Sequence, residues 1–266
     1  AGSEPLSVPL PAPYSIYSYR DAVRDRVVKP LRVVVLEPRR VVFRSTANAA
    51  PAVSLERGQF DSMSLHQRSA VTLALDSCVR AYVRAALPLF LEHRKRFPTR
   101  TTLYVLAPFA NVPVRFRGES LALLVALERV VSDECAQISP HLRVGTLHGT
   151  AAHVARVQRE LRLAQLDVVL ACELLSRSAD HPNIVAVLNL RRLGTADRVE
   201  QAVVGRATRM LYDPVSHVPL DVPALVFECA HTGNAPLYQE LLRRWSSGGG
   251  GVSPATNCLS IEQRTI

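Results

Sequence analysis

Short unbroken apolar runs alternate with longer stretches in which apolar residues return at helical spacing. "TTLYVLA", "LDVVLAC", "NIVAVLNL" and "ALVFEC" have strand length and predict strands, the second by its continuity a buried one. "VPVRF" and "HLRVGTL" read as shorter strands, and the two β-branched runs around "EPRR" in "LRVVVLEPRRVVFR" read as a hairpin. From Ser64 to Ala86 the positions Ala70, Leu73, Val79, Tyr82 and Val83 mark a helix, with Pro88 opening a second one that "EHRKRFP" closes. "GESLALLVALERVVSDE" predicts a helix with Leu121, Leu124, Val125 and Val131 on one face, and "GTAAHVARVQRELRLAQ" another with Val154, Val157 and Leu161. Thr195 caps "TADRVEQAVVGRATRML", where Asp197 and Glu200 suit the helix dipole, and a short helix ends at Trp245.

The flanks differ in kind. Residues 1–30 carry Pro5, Pro9, Pro11 and Pro13, which disfavour helix and central strand, so they read as an extended arm. "SSGGGGVSPAT" near the other end has flexible-linker composition. The organisation expected is a Pro-rich arm at 1–30, an α+β domain at 31–205, and an extension with a short helix and Gly-rich tail at 206–266.

Composition narrows the picture. With 48% hydrophobic and 21% charged residues, the 266-residue chain can build a sizeable core. No apolar run reaches the roughly 18 residues of a membrane span, so no membrane partner is expected. Five widely spaced cysteines without a CxxC pair suggest free thiols in a reducing compartment. The net charge is +9, and only Lys29 and Lys95 of the 32 cationic residues are lysine, leaving 30 arginines. An excess of planar guanidinium groups points to a phosphate-rich partner, RNA above all. Three clusters are the candidate contacts: Arg94, Lys95, Arg96 and Arg100 near Phe97, then Arg191 and Arg192, then Arg243 and Arg244 beside Trp245.

Candidate chemistry is sparse. No HxxxH or HExxH spacing occurs and no Gly-Lys-Ser/Thr phosphate loop, so no metal and no cofactor is implied. "ECAHTGN" gathers Glu228, Cys229, His231 and Asn234 but reads as a structural loop. Ser120, in Gly118-Glu119-Ser120, reads as a helix cap beside a dipole-complementing Glu119.

The order of elements over residues 31–205 resembles the proteolytic domain of Lon-type ATP-dependent proteases. The likeness rests on a strand pair, the helix of "GQFDSMSLHQRSAVTLALDSCVRAYV", the Gly-x-Ser helix start, "RVGTLHGTAAHVARVQRELRLAQ", "LDVVLA" and "VAVLNLRRLGTADRVEQAV". It implies a mixed sheet with packed helices and a serine nucleophile at Ser120. The family's lysine base has no counterpart, since the helix after the glycine turn offers Ala151, Ala152, His153, Ala155 and Arg156, and arginine does not deprotonate. The expectation is therefore a non-catalytic, Lon-like pseudoenzyme. It would be a basic structural or assembly subunit of a large ribonucleoprotein such as a mitochondrial ribosome, contacting ribosomal RNA and neighbouring proteins in the matrix. The alternatives are a serine peptidase pairing Ser120 with His153, and a pseudo-peptidase module that binds proteins.

Overall fold

The apolar runs do become buried strands, and they lie side by side in one sheet. The computed structural model describes residues 19–43, 53–56, 59–172, 181–247 and 259–266. In chain order the first elements are α1 (Tyr19–Arg24), β1 (Leu31–Glu37), β2 (Arg40–Phe43), β3 (Val53–Glu56), α2 (Leu65–Leu73) and α3 (Arg80–Arg94). There follow β4 (Thr102–Leu106), β5 (Pro113–Phe116), β6 (Glu119–Ala122), α4 (Leu123–Ile138), β7 (Val144–Thr146), α5 (Ala151–Arg162) and β8 (Val168–Ala171). The last are β9 (Ile184–Asn189), α6 (Ala196–Val199), α7 (Gly205–Ala207), β10 (Ala224–Cys229), α8 (Ala235–Ser247) and β11 (Leu259–Thr265).

Seven strands form the sheet in the order β11-β1-β10-β9-β4-β8-β7. Every pairing in it is parallel. Parallel pairing explains why the strands read as continuous apolar runs, because helices cover both faces. Leu103 and Val105 of β4 enter a core shared with α3 and α4, through Tyr82, Phe90, Leu127 and Val131. Tyr104 and Leu106 point the other way, into a core shared with α5, α6 and α8, through Leu161, Val199, Tyr238 and Leu241. Each such Leu or Val removed from water contributes about 1.5–3 kcal/mol, and the two layers together fix the register of the sheet.

The expectation of one domain with strands and packed helices is met, but the mixed sheet is not. Nor is residue 205 a boundary, because β10 and β11 from the expected extension flank β1 in the same sheet. "LRVVVLEPRRVVFR" is not a hairpin: β1 pairs with β10 and β11, while β2 pairs antiparallel with β3. Within the expected arm, Tyr19–Arg24 is helical and docks on α8, with Tyr19 stacked on Trp245 at 4.0 Å between ring centroids. Pro5, Pro9, Pro11 and Pro13 of the arm and the glycines 248–251 of the tail lie outside the described residues. Pro88 sits inside α3 rather than opening a helix. The break falls at Ala74 (φ −80, ψ 68), followed by a π-helical turn at Leu75–Val79.

Candidate nucleic-acid interface

Open parallel sheets bind ligands outside the carboxyl ends of their strands, where the strand order reverses. Here the reversal centres on β4: the chain passes first to β7 and β8 on one side, then to β9 and β10 on the other. A cavity of about 770 Å³ opens there, lined by Phe109, Asn111, His148, Gly149, Cys172 and Arg191 among others.

Each lining loop is fixed locally. After β4, the carbonyls of Ala110 and Val112 accept from the amides of Leu124 and Leu123, which anchors the loop to the start of α4. Phe109, at the tip, is 51% exposed. After β7, Gly149 takes φ +103, a conformation that favours glycine. Thr150 then caps α5, its hydroxyl accepting from the amide of His153. The positive end of the α5 dipole therefore faces the cavity wall formed by His148 and Gly149.

Arg191 is held from three directions. Its guanidinium donates to the Cys172 carbonyl at 3.1 Å, its amide donates to Asn189 Oδ1 at 3.0 Å, and its carbonyl accepts from Asn234 Nδ2 at 2.8 Å. Both asparagines converge on Glu228, Asn189 Nδ2 donating to Oε2 at 2.8 Å and Asn234 Nδ2 to Oε1 at 3.1 Å. Tyr238 donates its hydroxyl to Oε2 at 2.8 Å, and Thr232 donates to Oε1. The Glu228 carboxyl is fully buried, and burial pushes it up to about 7 against the four donors that favour its charge. "ECAHTGN" is thus a buried scaffold for the loop carrying Arg191. His231 in it is buried and pushed down to about 3 by burial and by Arg68.

The other sequence candidates separate. Arg94 and Arg100 both pair with the buried Asp167, Arg94 Nη1 at 2.5 Å from Oδ1 and Arg100 Nε at 2.9 Å. They fasten α3 to the amino end of β8. Lys95 pairs with Glu92 at 2.6 Å, and Arg244 bridges Asp197 and Glu240. Arg96 and Arg243 line two further cavities, and Arg192 is exposed on the Arg191 loop. Of the eight cations expected to bind RNA, only Arg191 lines the cavity at the strand ends. Phe109, Asn111 and the α5 start were missed, although "LAPFAN" and "LHGT" directly follow apolar strands, the place where such sites form.

Ser120 is neither cap nor nucleophile. Arg117 (φ 51) and Gly118 (φ 86) form a two-residue turn with both φ positive, joining β5 to β6. Ser120 lies in β6 opposite Arg115, exposed, while Ala122 precedes α4 without a side-chain cap. His153 lies on α5 with Nε2 donating to the Thr146 carbonyl at 2.9 Å and Nδ1 accepting from Arg156 at 3.2 Å, so it offers no base to Ser120. No group of three or more potential metal ligands occurs among the described residues.

No family model matches the chain, and no curated protein matches it. Among solved structures it is similar to a fragment of a putative HsdR subunit of a type I restriction enzyme from Vibrio vulnificus YJ016. That match has 14% identity, 94% of this chain, 39% of that one, and a TM-score of 0.55. It also matches T4 UvsW, at 8% identity, with 89% of this chain, 41% of that one and a TM-score of 0.48. Domain 2 of the DEAD-box helicase Mss116p bound to an RNA duplex gives 14% identity, 89% and 64% coverage, and a TM-score of 0.45. The chain spans about two-fifths of the HsdR fragment. The resemblance to Lon-type proteases is overturned, since the shared fold is that of a restriction-enzyme subunit. With it fall the peptidase, the pseudo-peptidase and the non-catalytic ribosomal subunit. Element order along the chain had suggested the peptidase readings, and net charge with arginine clusters the ribonucleoprotein one.

Proposed function

We propose that this chain is a RecA-like domain of a nucleic-acid motor of the helicase or translocase type, and that it grips a single strand at the carboxyl ends of β4, β7, β8 and β9. One observation carries the reading: the start of α5, Arg191 and Phe109 open into the same cavity at the reversal point of the sheet. The amides and dipole at the start of α5 suit a backbone phosphate, and Arg191 adds a fixed guanidinium. An exposed aromatic ring offers a stacking face that any base can use. The likeness to an HsdR fragment supports the motor class. The sequence contains no glycine-rich phosphate loop, so in this reading nucleotide hydrolysis falls to another domain.

The test is fluorescence anisotropy with labelled single-stranded RNA and DNA. Binding should weaken steeply between about 50 and 200 mM salt as counterions are released. Arg191→Ala and Phe109→Ala should each weaken it about tenfold, the size of one charge-assisted hydrogen bond or one stacked base. Unchanged affinity in both variants would overturn the assignment, and competition between the two polymers decides which is preferred.

A further inference from the structure

A second basic groove lies on the flank of the sheet, away from the strand-end cavity. It is a hollow of about 270 Å³ between the last turn of α3 and the β1–β11 edge. Arg32 comes from β1, Arg264 and Glu262 from β11, and Glu92, Lys95 and Arg96 from α3 and the residues that follow it. Its carboxylates are already taken. Glu262 pairs with Arg32 at 2.6 Å and Glu92 with Lys95 at 2.6 Å. Arg96 and Arg264 are left without a carboxylate among the described residues, and both are exposed.

His93 also lines the groove. It is only 7% exposed, and its Nε2 is buried with no hydrogen-bond partner among the described residues. A buried imidazole nitrogen in that state is costly unless a ligand completes it. Burial above all, and then Arg96, pushes His93 down to about 4 against a hydrogen bond to the Pro223 carbonyl, so the ring is neutral at pH 7. The helix dipole accounts for cations at the end of α3, but not for guanidinium groups arriving from two strands into the same hollow.

We propose that this groove binds a compact phosphate, free or as a terminal monoester, clamped by Arg96 and Arg264, with His93 Nε2 as a third contact that accepts from a phosphate hydroxyl. Planar guanidinium pairs match phosphate oxygens in a bidentate way, and the volume suits one phosphate group rather than a threaded chain. The site is independent of the strand-end cavity, and it stands whether or not that cavity binds nucleic acid.

Thermal melting of the full chain with inorganic phosphate, against chloride at matched ionic strength, tests it. Phosphate should raise Tm progressively with concentration, and Arg96→Gln combined with Arg264→Gln should abolish the rise while leaving Tm in chloride unchanged. His93→Gln, which keeps a polar group at the floor, should weaken the phosphate response without abolishing it. A 5′-phosphorylated oligonucleotide competing with phosphate better than its 5′-hydroxyl twin would identify a strand end as the source. Equal competition by the two would identify free phosphate. The proposal is overturned if phosphate acts no better than chloride, if the double variant responds like the parent, or if Arg191→Ala is what removes the response.

Discussion

Replacing Asp167 by Asn removes one charge and one hydrogen-bond acceptor with almost no change of volume, so the result reports on the polar pairing and not on packing. The Asp167 side chain is fully buried between Arg94 and Arg100, each about a third exposed or less, and its Oδ2 also accepts from the Arg143 amide at 2.7 Å. Removing one partner of a buried pair costs about 3–5 kcal/mol, and here the arginines keep some access to water, so about 3 kcal/mol is expected. For a domain of this size that lowers Tm by about 6–12 °C. Urea denaturation followed by circular dichroism measures it. The pH dependence has a definite sign. The Arg100 and Arg94 bonds and the Arg143 amide hold the carboxyl below its ordinary value in spite of burial. Its stabilisation is therefore complete above the unfolded pKa and is lost as pH falls through the folded one. The gap between parent and Asp167→Asn should be full at neutral pH and shrink below about pH 4. A variant within about 0.5 kcal/mol of the parent at pH 7, or a gap that grows on acidification, would refute the account. So would Arg94→Ala or Arg100→Ala weakening nucleic-acid binding without loss of stability.

Three further outcomes follow from the described contacts. Glu228→Gln turns an amide N–H₂ toward donors, and the resulting mismatch should cost about 1–3 kcal/mol and weaken binding through the displaced Arg191 loop, read by melting and anisotropy. Because burial raises Glu228 to about 7 from 4.5, its share of stability is complete below pH 4.5 and is lost as pH climbs through 7, a dependence the Gln variant should lack. Ser120→Ala should change neither melting nor binding by more than about 0.5 kcal/mol, since the side chain is exposed on a hairpin; a larger loss would return Ser120 to consideration.

Local signals carried most elements. The strands β4, β8, β9 and β10 stand out as apolar runs, and Thr195 caps a helix as its position suggests. What failed was mostly non-local. Nothing near β1 says that its neighbours are residues 224–229 and 259–265, so a hairpin with the next apolar run looked natural. Arg94 and Arg100 look like free cations until Asp167, some seventy residues on, is found beneath them. Ser120 is different, because its signal was local and missed: Arg117-Gly118 between alternating residues is a hairpin turn, but the leucines of α4 drew the helix back over it. At the site, residue types hinted at chemistry only once the strand ends were aligned.

The position of β1 has a consequence for the birth of the protein. The ribosome delivers this valine-rich strand before either of its neighbours, residues 224–229 and 259–265. At about 5–20 residues per second, some ten to forty seconds pass before β10 can reach it. Through that interval Val33, Val34 and Val35 sit on a strand with two open edges, the arrangement most prone to pair with other chains. A transcript cut short before residue 224 would leave that state permanent. Nascent-chain aggregation, more than the stability of the finished fold, is then the hazard that truncation creates, and a chaperone on the emerging chain would have β1 as its natural client.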